Sequence, residues 1–147
     1  MVVRLFAIAK GAAGLASLAL AAAPLGAQVP AAPPRDMAQY EAGIACAGYY
    51  LFLGSALSQS NPQREPAAAR GKRWTEHSLT ILNELHAAGR LSEAKRGGIE
   101  TQGYEAVLTQ DLVAARDKVA QDVSAARARG DLRSAIEPLE RRCGFDP

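Results

Sequence analysis

Apolar positions recur at three- and four-residue intervals over three stretches of this chain, the spacing of helices with a buried face. In the first, Met37, Tyr40, Ile44, Ala47 and Leu51 form one line, and Cys46, Tyr49 or Tyr50, Leu53 and Leu57 form a second. No residue between Glu41 and Arg64 is charged. A helix that is apolar on both sides must be covered on both sides, so this one is expected at the centre of the fold. Asp36 followed by Gln39 supplies a capping-box start, and Asn61-Pro62 marks a stop, because the residue before proline is pushed out of the helical region. The small residues from Ala42 to Gly48 let neighbours approach closely, and Tyr49 to Leu53 follow as bulky anchors.

A second helix is expected over Gln63 to Ala88, with Pro66 in its first turn and Gly89 as its left-handed cap. Its buried stripe is Trp74, Ser78, Ile81, Leu85 and Ala88, with Leu82 at the edge. Arg90 to Gly98 reads as a polar connection holding at most one helical turn begun by Ser92, which the Gly97-Gly98 pair breaks or kinks. A long third helix follows from about Ile99 to Arg129 on the stripe Tyr104, Leu108, Leu112, Ala115, Val119, Val123, Ala126. Gly130-Asp131 then opens a short last helix. Ser134 and Glu137 have capping-box spacing, which puts Pro138 at the fourth position, and Gly144 caps the end with Phe145 folding back on Leu139.

The segment before all this does not belong to the fold. Arg4 and Lys10 bracket a basic region, and Ala12 to Ala23 is a run of alanine, leucine, glycine and serine before Pro24, a signal-peptide pattern. Cleavage is expected after Ala27, with Ala23 as the competing site. That assigns residues 1–27 to a signal peptide, 28–35 to a flexible Pro/Ala-rich lead, and 36–147 to a single all-helical domain. The apolar run Ile44 to Leu57 is 14 residues long, short of the roughly 20 that span a bilayer as a helix. The mature chain therefore carries no membrane span.

Charge adds little. Removing Arg4 and Lys10 with the leader takes Lys and Arg from 17 to 15, against 15 Asp and Glu. A formally neutral mature chain gives no support to a nucleic-acid partner, which would need a clustered basic surface.

Two cysteines, one in the first mature helix and one near the end, in an exported periplasmic chain, predict a Cys46–Cys143 disulfide. It closes a loop of about 98 residues, for which chain entropy gives roughly 4 to 5 kcal/mol of stabilisation. No C-x-x-C spacing points to thioredoxin-type chemistry.

Catalytic and ligand motifs are missing. His77 and His86 lie nine residues apart on one helix, half a turn out of phase, so they cannot share a metal. His77, at the rim of the apolar stripe with Glu84 seven residues on and on nearly the same side, reads as a half-buried histidine with a satisfied partner, the alternative being a His77/Glu84 pair for proton transfer or as two ligands of a metal. Ser92 to Lys95 matches S-x-x-K spacing without its companion motifs and reads as a helix cap. No glycine-rich phosphate loop occurs. No catalytic residue, metal site or cofactor is assigned, and the chain is read as a non-enzyme.

These elements amount to an all-α fold: a small irregular helical bundle of three longer helices plus a short C-terminal helix, after a cleaved signal peptide, with one disulfide. In general type it resembles small two-cysteine helical periplasmic proteins, some of them acid-stress chaperones, without a shared motif. The function expected is a non-enzymatic interaction or stress-protection module whose partner is another protein or a second copy of itself. The candidate binding patch is Tyr49, Tyr50, Phe52, Trp74 and His77, with core packing of the aromatics as the alternative. The competing function is a small-ligand or metal carrier, its pocket between the first two mature helices and lined by Tyr49, Trp74 and His77.

Overall fold

The computed structural model describes residues 34–147. The expected signal peptide, and all but Pro34 and Arg35 of the Pro/Ala-rich lead, lie outside the described residues. Five helices follow in order: α1 Met37–Ala56, α2 Arg64–Ala87, α3 Glu93–Gln102, α4 Tyr104–Ala128 and α5 Leu132–Cys143. The fold is all-α, and no strand occurs among the described residues.

Helix α1 is the centre. Asp36 accepts from the Gln39 backbone N–H while the Gln39 side chain accepts from the Asp36 N–H, so both halves of the capping box form. α1 packs most extensively on α2, then on α4 along another side. Towards its N-terminal half, Tyr40, Ile44 and Ala47 meet Ile81, Leu82 and Leu85 of α2, Ile99 of α3 and Val107, Leu108 and Leu112 of α4. Towards its C-terminal half, Cys46, Tyr49 and Tyr50 meet Ala67 of α2, Val119 of α4 and Cys143 of α5. Trp74 packs against both clusters and joins them.

Small residues set how close these helices come. A Cβ placed on Gly48 would lie 2.7 Å from the Ala115 Cβ and 2.8 Å from the Ala115 carbonyl carbon and the Arg116 nitrogen, so α1 and α4 touch almost backbone to backbone. At the other end of the chain Cys46 and Cys143 form a disulfide with Cα atoms 5.3 Å apart. Both cysteines are buried.

Several expectations need correcting. α1 ends at Ala56, before Asn61-Pro62, and Leu51, expected on the buried line, is 41 % exposed because no helix covers that side of the last turns. Leu82, expected at an edge, is fully buried. The Arg90–Gly98 connection and the long third helix are instead two helices, α3 and α4, so the described residues form five helices where four were expected. The glycine pair sits inside α3, where Gly98 lets α3 lie close on α4, a Cβ there being 3.2 Å from the Val107 side chain. The break falls at Gly103, whose φ of 87° is open to glycine and costly for other residues.

Gly89 and Gly130 close α2 and α4 with similar positive φ. α5 begins at Leu132, not at Ser134, whose hydroxyl bonds the Asp131 carbonyl instead; Pro138 is thus the seventh residue of the helix. Phe145 does not fold back on Leu139 and is 76 % exposed.

The Gly48 approach yields a paired expectation. Gly48→Ala forces α1 and α4 apart and lowers unfolding stability by about 2 kcal/mol. Gly54→Ala, where nothing lies within 4 Å, gains helix propensity and raises stability by roughly 0.5–1 kcal/mol. Urea denaturation of the two variants measures both, and an unaffected Gly48→Ala protein contradicts the backbone contact.

Candidate functional site

The five aromatic and histidine positions picked from the sequence fall into two places. Tyr49 and Tyr50, consecutive on α1, lie against each other with ring centroids 5.2 Å apart and are 3 % and 5 % exposed. Burial, and then the Glu140 carboxylate and Tyr50, push the Tyr49 phenol up to about 12, so it stays protonated. The Tyr50 hydroxyl donates to the Cys143 carbonyl at 2.7 Å and accepts from the Arg70 guanidinium at 3.3 Å, which also stands over the Tyr50 ring. Phe52 and Leu53 pack on the same cluster, half-buried.

Trp74 and His77, one turn apart on α2, meet edge to face at 5.8 Å. His77 faces the first half of α1, its ring lying 3.8 Å from where a Gly43 Cβ would stand. Burial, and then the charge of Arg35, hold the His77 imidazole below its ordinary pKa, with Glu84 opposing. Glu84 itself pairs with Arg35 at 3.3 Å. Trp74 and His77 therefore do not share a pocket with the tyrosines.

What the tyrosines do line is a groove of about 510 Å³ between α1, α2 and α5. From the α1 side it is lined by Tyr49, Tyr50 and Leu53, with Leu57 just past the helix end. Pro66, Ala67 and Arg70 of α2 form the second wall, and Ile136 and Glu140 of α5 the third. The surface is mostly apolar, and its two charges stand on opposite walls. Neither Arg70 nor Glu140 makes a salt bridge among the described residues. Arg70, Ile136 and Glu140 were not among the residues picked from the sequence. Counting back seven and three positions from Cys143 along a helix reaches Ile136 and Glu140, so the disulfide expectation already held the signal for that wall.

A second, polar site lies at the other end of α1 and was not anticipated. The Tyr40 hydroxyl donates to the Asp111 carboxylate at 2.6 Å, and the Lys95 ammonium binds the same oxygen while standing 5.0 Å from the Tyr40 ring centroid. The cluster borders a depression of about 260 Å³ with Met37, Ile44 and Ala115. Burial, then the bond to Asp111, raise the Tyr40 phenol far above its ordinary range, so it cannot act as a base near neutrality. The carboxylate is neutralised by the lysine. The trio thus works as a polar clasp between α1, α3 and α4. The His86 imidazole and the Tyr104 hydroxyl form another between α2 and α4. Among the described residues no three His, Cys, Asp or Glu side chains are grouped as a metal would need.

Compared with protein-family models, curated proteins and solved structures, the chain matches none.

The lowered His77 pKa has a sign for stability. The unfolded chain takes up the proton near pH 6.5 while the folded chain resists it, so the unfolded state binds more protons and stability falls as pH drops from about 6.5 towards the folded value. His77→Gln removes that part of the loss. Denaturation midpoints of wild type and variant at about pH 7 and about pH 5.5 measure it; equal acid losses in the two proteins rule out this origin.

Proposed function

We propose that this protein is a non-enzymatic interaction module of an oxidising compartment, the periplasm on the signal-peptide reading, and that the groove between α1, α2 and α5 takes an apolar segment of a partner protein. The observation that carries this is the groove's lining. Leu53, Leu57, Pro66 and Ile136 offer apolar area over a floor made by the buried Tyr49 and Tyr50 rings, which are already fixed and lose little side-chain entropy on binding. Among the described residues, Arg70 on the α2 wall and Glu140 on the α5 wall stand without salt-bridge partners. A bound segment with an acidic group on the α2 side and a basic group on the α5 side satisfies both, which fixes its direction. The disulfide agrees with an oxidising compartment, since such bonds persist there and are rare in reducing ones.

A binding role also suits the polar groups described above. The two with strongly raised pKa values are phenols held protonated, and the half-buried Lys95–Asp111 pair balances its own charge, an arrangement that holds helices together rather than moving protons. A groove of about 510 Å³ is also of the size that takes a small molecule, roughly 300–1,000 Å³. The carrier reading therefore belongs to this groove, and not to a pocket at Trp74 and His77.

The test is fluorescence anisotropy with a labelled ten-residue peptide bearing leucine and phenylalanine, an acidic residue at one end and a basic residue at the other. Leu53→Asp puts a charge into the groove and should weaken binding about tenfold or more, as loss of a central apolar contact does. Val113→Asp, on an exposed position of α4, should leave affinity unchanged. Equal affinity in all three proteins, or none at millimolar peptide, sinks the proposal. A low-molecular-mass compound that survives purification and is lost in Leu53→Asp replaces it by the carrier reading.

A further inference from the structure

Helix α5 is held very differently at its two ends. At its C-terminal end Cys143 is bonded to Cys46, its carbonyl accepts from Tyr50 at 2.7 Å, and beyond it Asp146 takes two hydrogen bonds from Arg73 of α2. Leu139 still packs on the cluster around Cys46, Tyr49 and Tyr50, but towards the N-terminal end nothing comparable exists among the described residues. Cys143 is the only buried residue of the helix. The salt bridges of α5 stay within it, Glu137 pairing with Arg133 at 3.4 Å and Arg141 at 3.2 Å. No side chain caps its first turn. Pro138 has no N–H to give the Ser134 carbonyl, so one internal bond is missing in mid-helix. A helix of 12 residues is marginal without tertiary packing, and Gly130, at φ 73°, provides a turn that can re-form.

The two faces of α5 border separate grooves. On one side Ile136 and Glu140 wall the tyrosine groove; on the other Ala135, Pro138 and Leu139 wall a groove of about 460 Å³ that reaches α4 at Val119 and α1 at Ala45. α5 is the bar between them.

We propose that α5 is a strap: its Leu132–Pro138 portion opens away from the bundle while the end carrying Leu139 and the Cys46–Cys143 bond stays fastened, joining the two grooves into one trough running from Tyr50 to Val119. The opening follows from how α5 is anchored and does not depend on what the tyrosine groove binds. Its role is to widen the binding surface without releasing the C-terminus, because the disulfide caps the excursion. A longer apolar segment than the closed groove admits then has a place to lie.

Native-state amide hydrogen exchange on the oxidised, full-length mature protein tests this, with free thiols titrated in parallel under dithiothreitol. Amides of Ala135–Glu137, the first in α5 with carbonyl partners inside the helix, should exchange about a hundredfold or more faster than those around Ile81–Leu85, by local opening rather than global unfolding. Over the same period the buried disulfide should stay unreduced, since thiolate attack needs access to a sulfur. Pro138→Ala supplies the missing donor and should slow exchange in Ala135–Glu137 by about tenfold. Exchange of α5 only together with the α2 core overturns the proposal. Reduction of the disulfide as fast as α5 exchanges also overturns it, because the whole helix would then be leaving. Unchanged exchange in Pro138→Ala overturns the part assigned to the missing bond.

Discussion

A helix with no charge between Glu41 and Arg64 has no side it can give to water at no cost, and most of this structure can be read as the consequence. α2 covers one flank of α1 and α4 another, and the approach is close because glycine and alanine occupy the crossing points. At Gly48 the α4 backbone itself is the neighbour, so α4 cannot shift along α1 without a clash or a void. Packing of this density leaves little freedom in the register of the two helices. The stretch of α1 up to Gly48 is therefore the fixed frame, and Tyr40, Ile44 and Ala47 place the core of the other helices around it.

The second half of α1 is covered less completely. Leu51 emerges into solvent, and Phe52 and Leu53 are half-buried. α5 fills part of that space, but twelve residues carrying a proline and their own internal ion pairs cannot fill it by packing alone. The disulfide makes up the difference from the unfolded side: it removes loop entropy from the denatured chain, worth roughly 4 to 5 kcal/mol for a closure of this length, without demanding apolar area from α5. A helix can thus be present, persist and yet be loosely seated along most of its length. Grooves on both of its sides are the geometric result.

Legibility from the sequence follows the same division. The Asp36 cap, the stripes of α2 and α4 and the disulfide were readable because each rests on local spacing or, with only two cysteines, on elimination. The α3–α4 boundary was not, because a Gly-Gly pair inside a helix and a single glycine at its end differ only in what packs beside them: Val107 against Gly98 in one case, open space around Gly103 in the other. The pairing of Tyr40 with Asp111, 71 positions apart, and of Lys95 with the same carboxylate depended on how α3 folds back. Nothing in the spacing of those residues carries that. The aromatic set divided for a similar reason. Trp74 touches the clusters at both ends of α1, but His77, one turn further along α2, faces Gly43 in the first half of α1 and so stands apart from Tyr49 and Tyr50.

The placement of polar groups gives the last step. At the fixed end of the bundle, Tyr40, Asp111 and Lys95 satisfy one another, and His86 meets Tyr104, so buried polarity there rigidifies the frame. At the loose end, Tyr50 spends its hydroxyl on the Cys143 carbonyl and its ring on Arg70, while Arg70 and Glu140 keep charge facing the groove. A protein that satisfies its polar groups where helices are locked, and leaves charges unpaired where one helix is only strapped down, concentrates its remaining capacity for contact at that end. The apolar lining and the weakly seated helix coincide there because both stem from one fact. The chain supplies less apolar surface in α5 than the second half of α1 needs to bury.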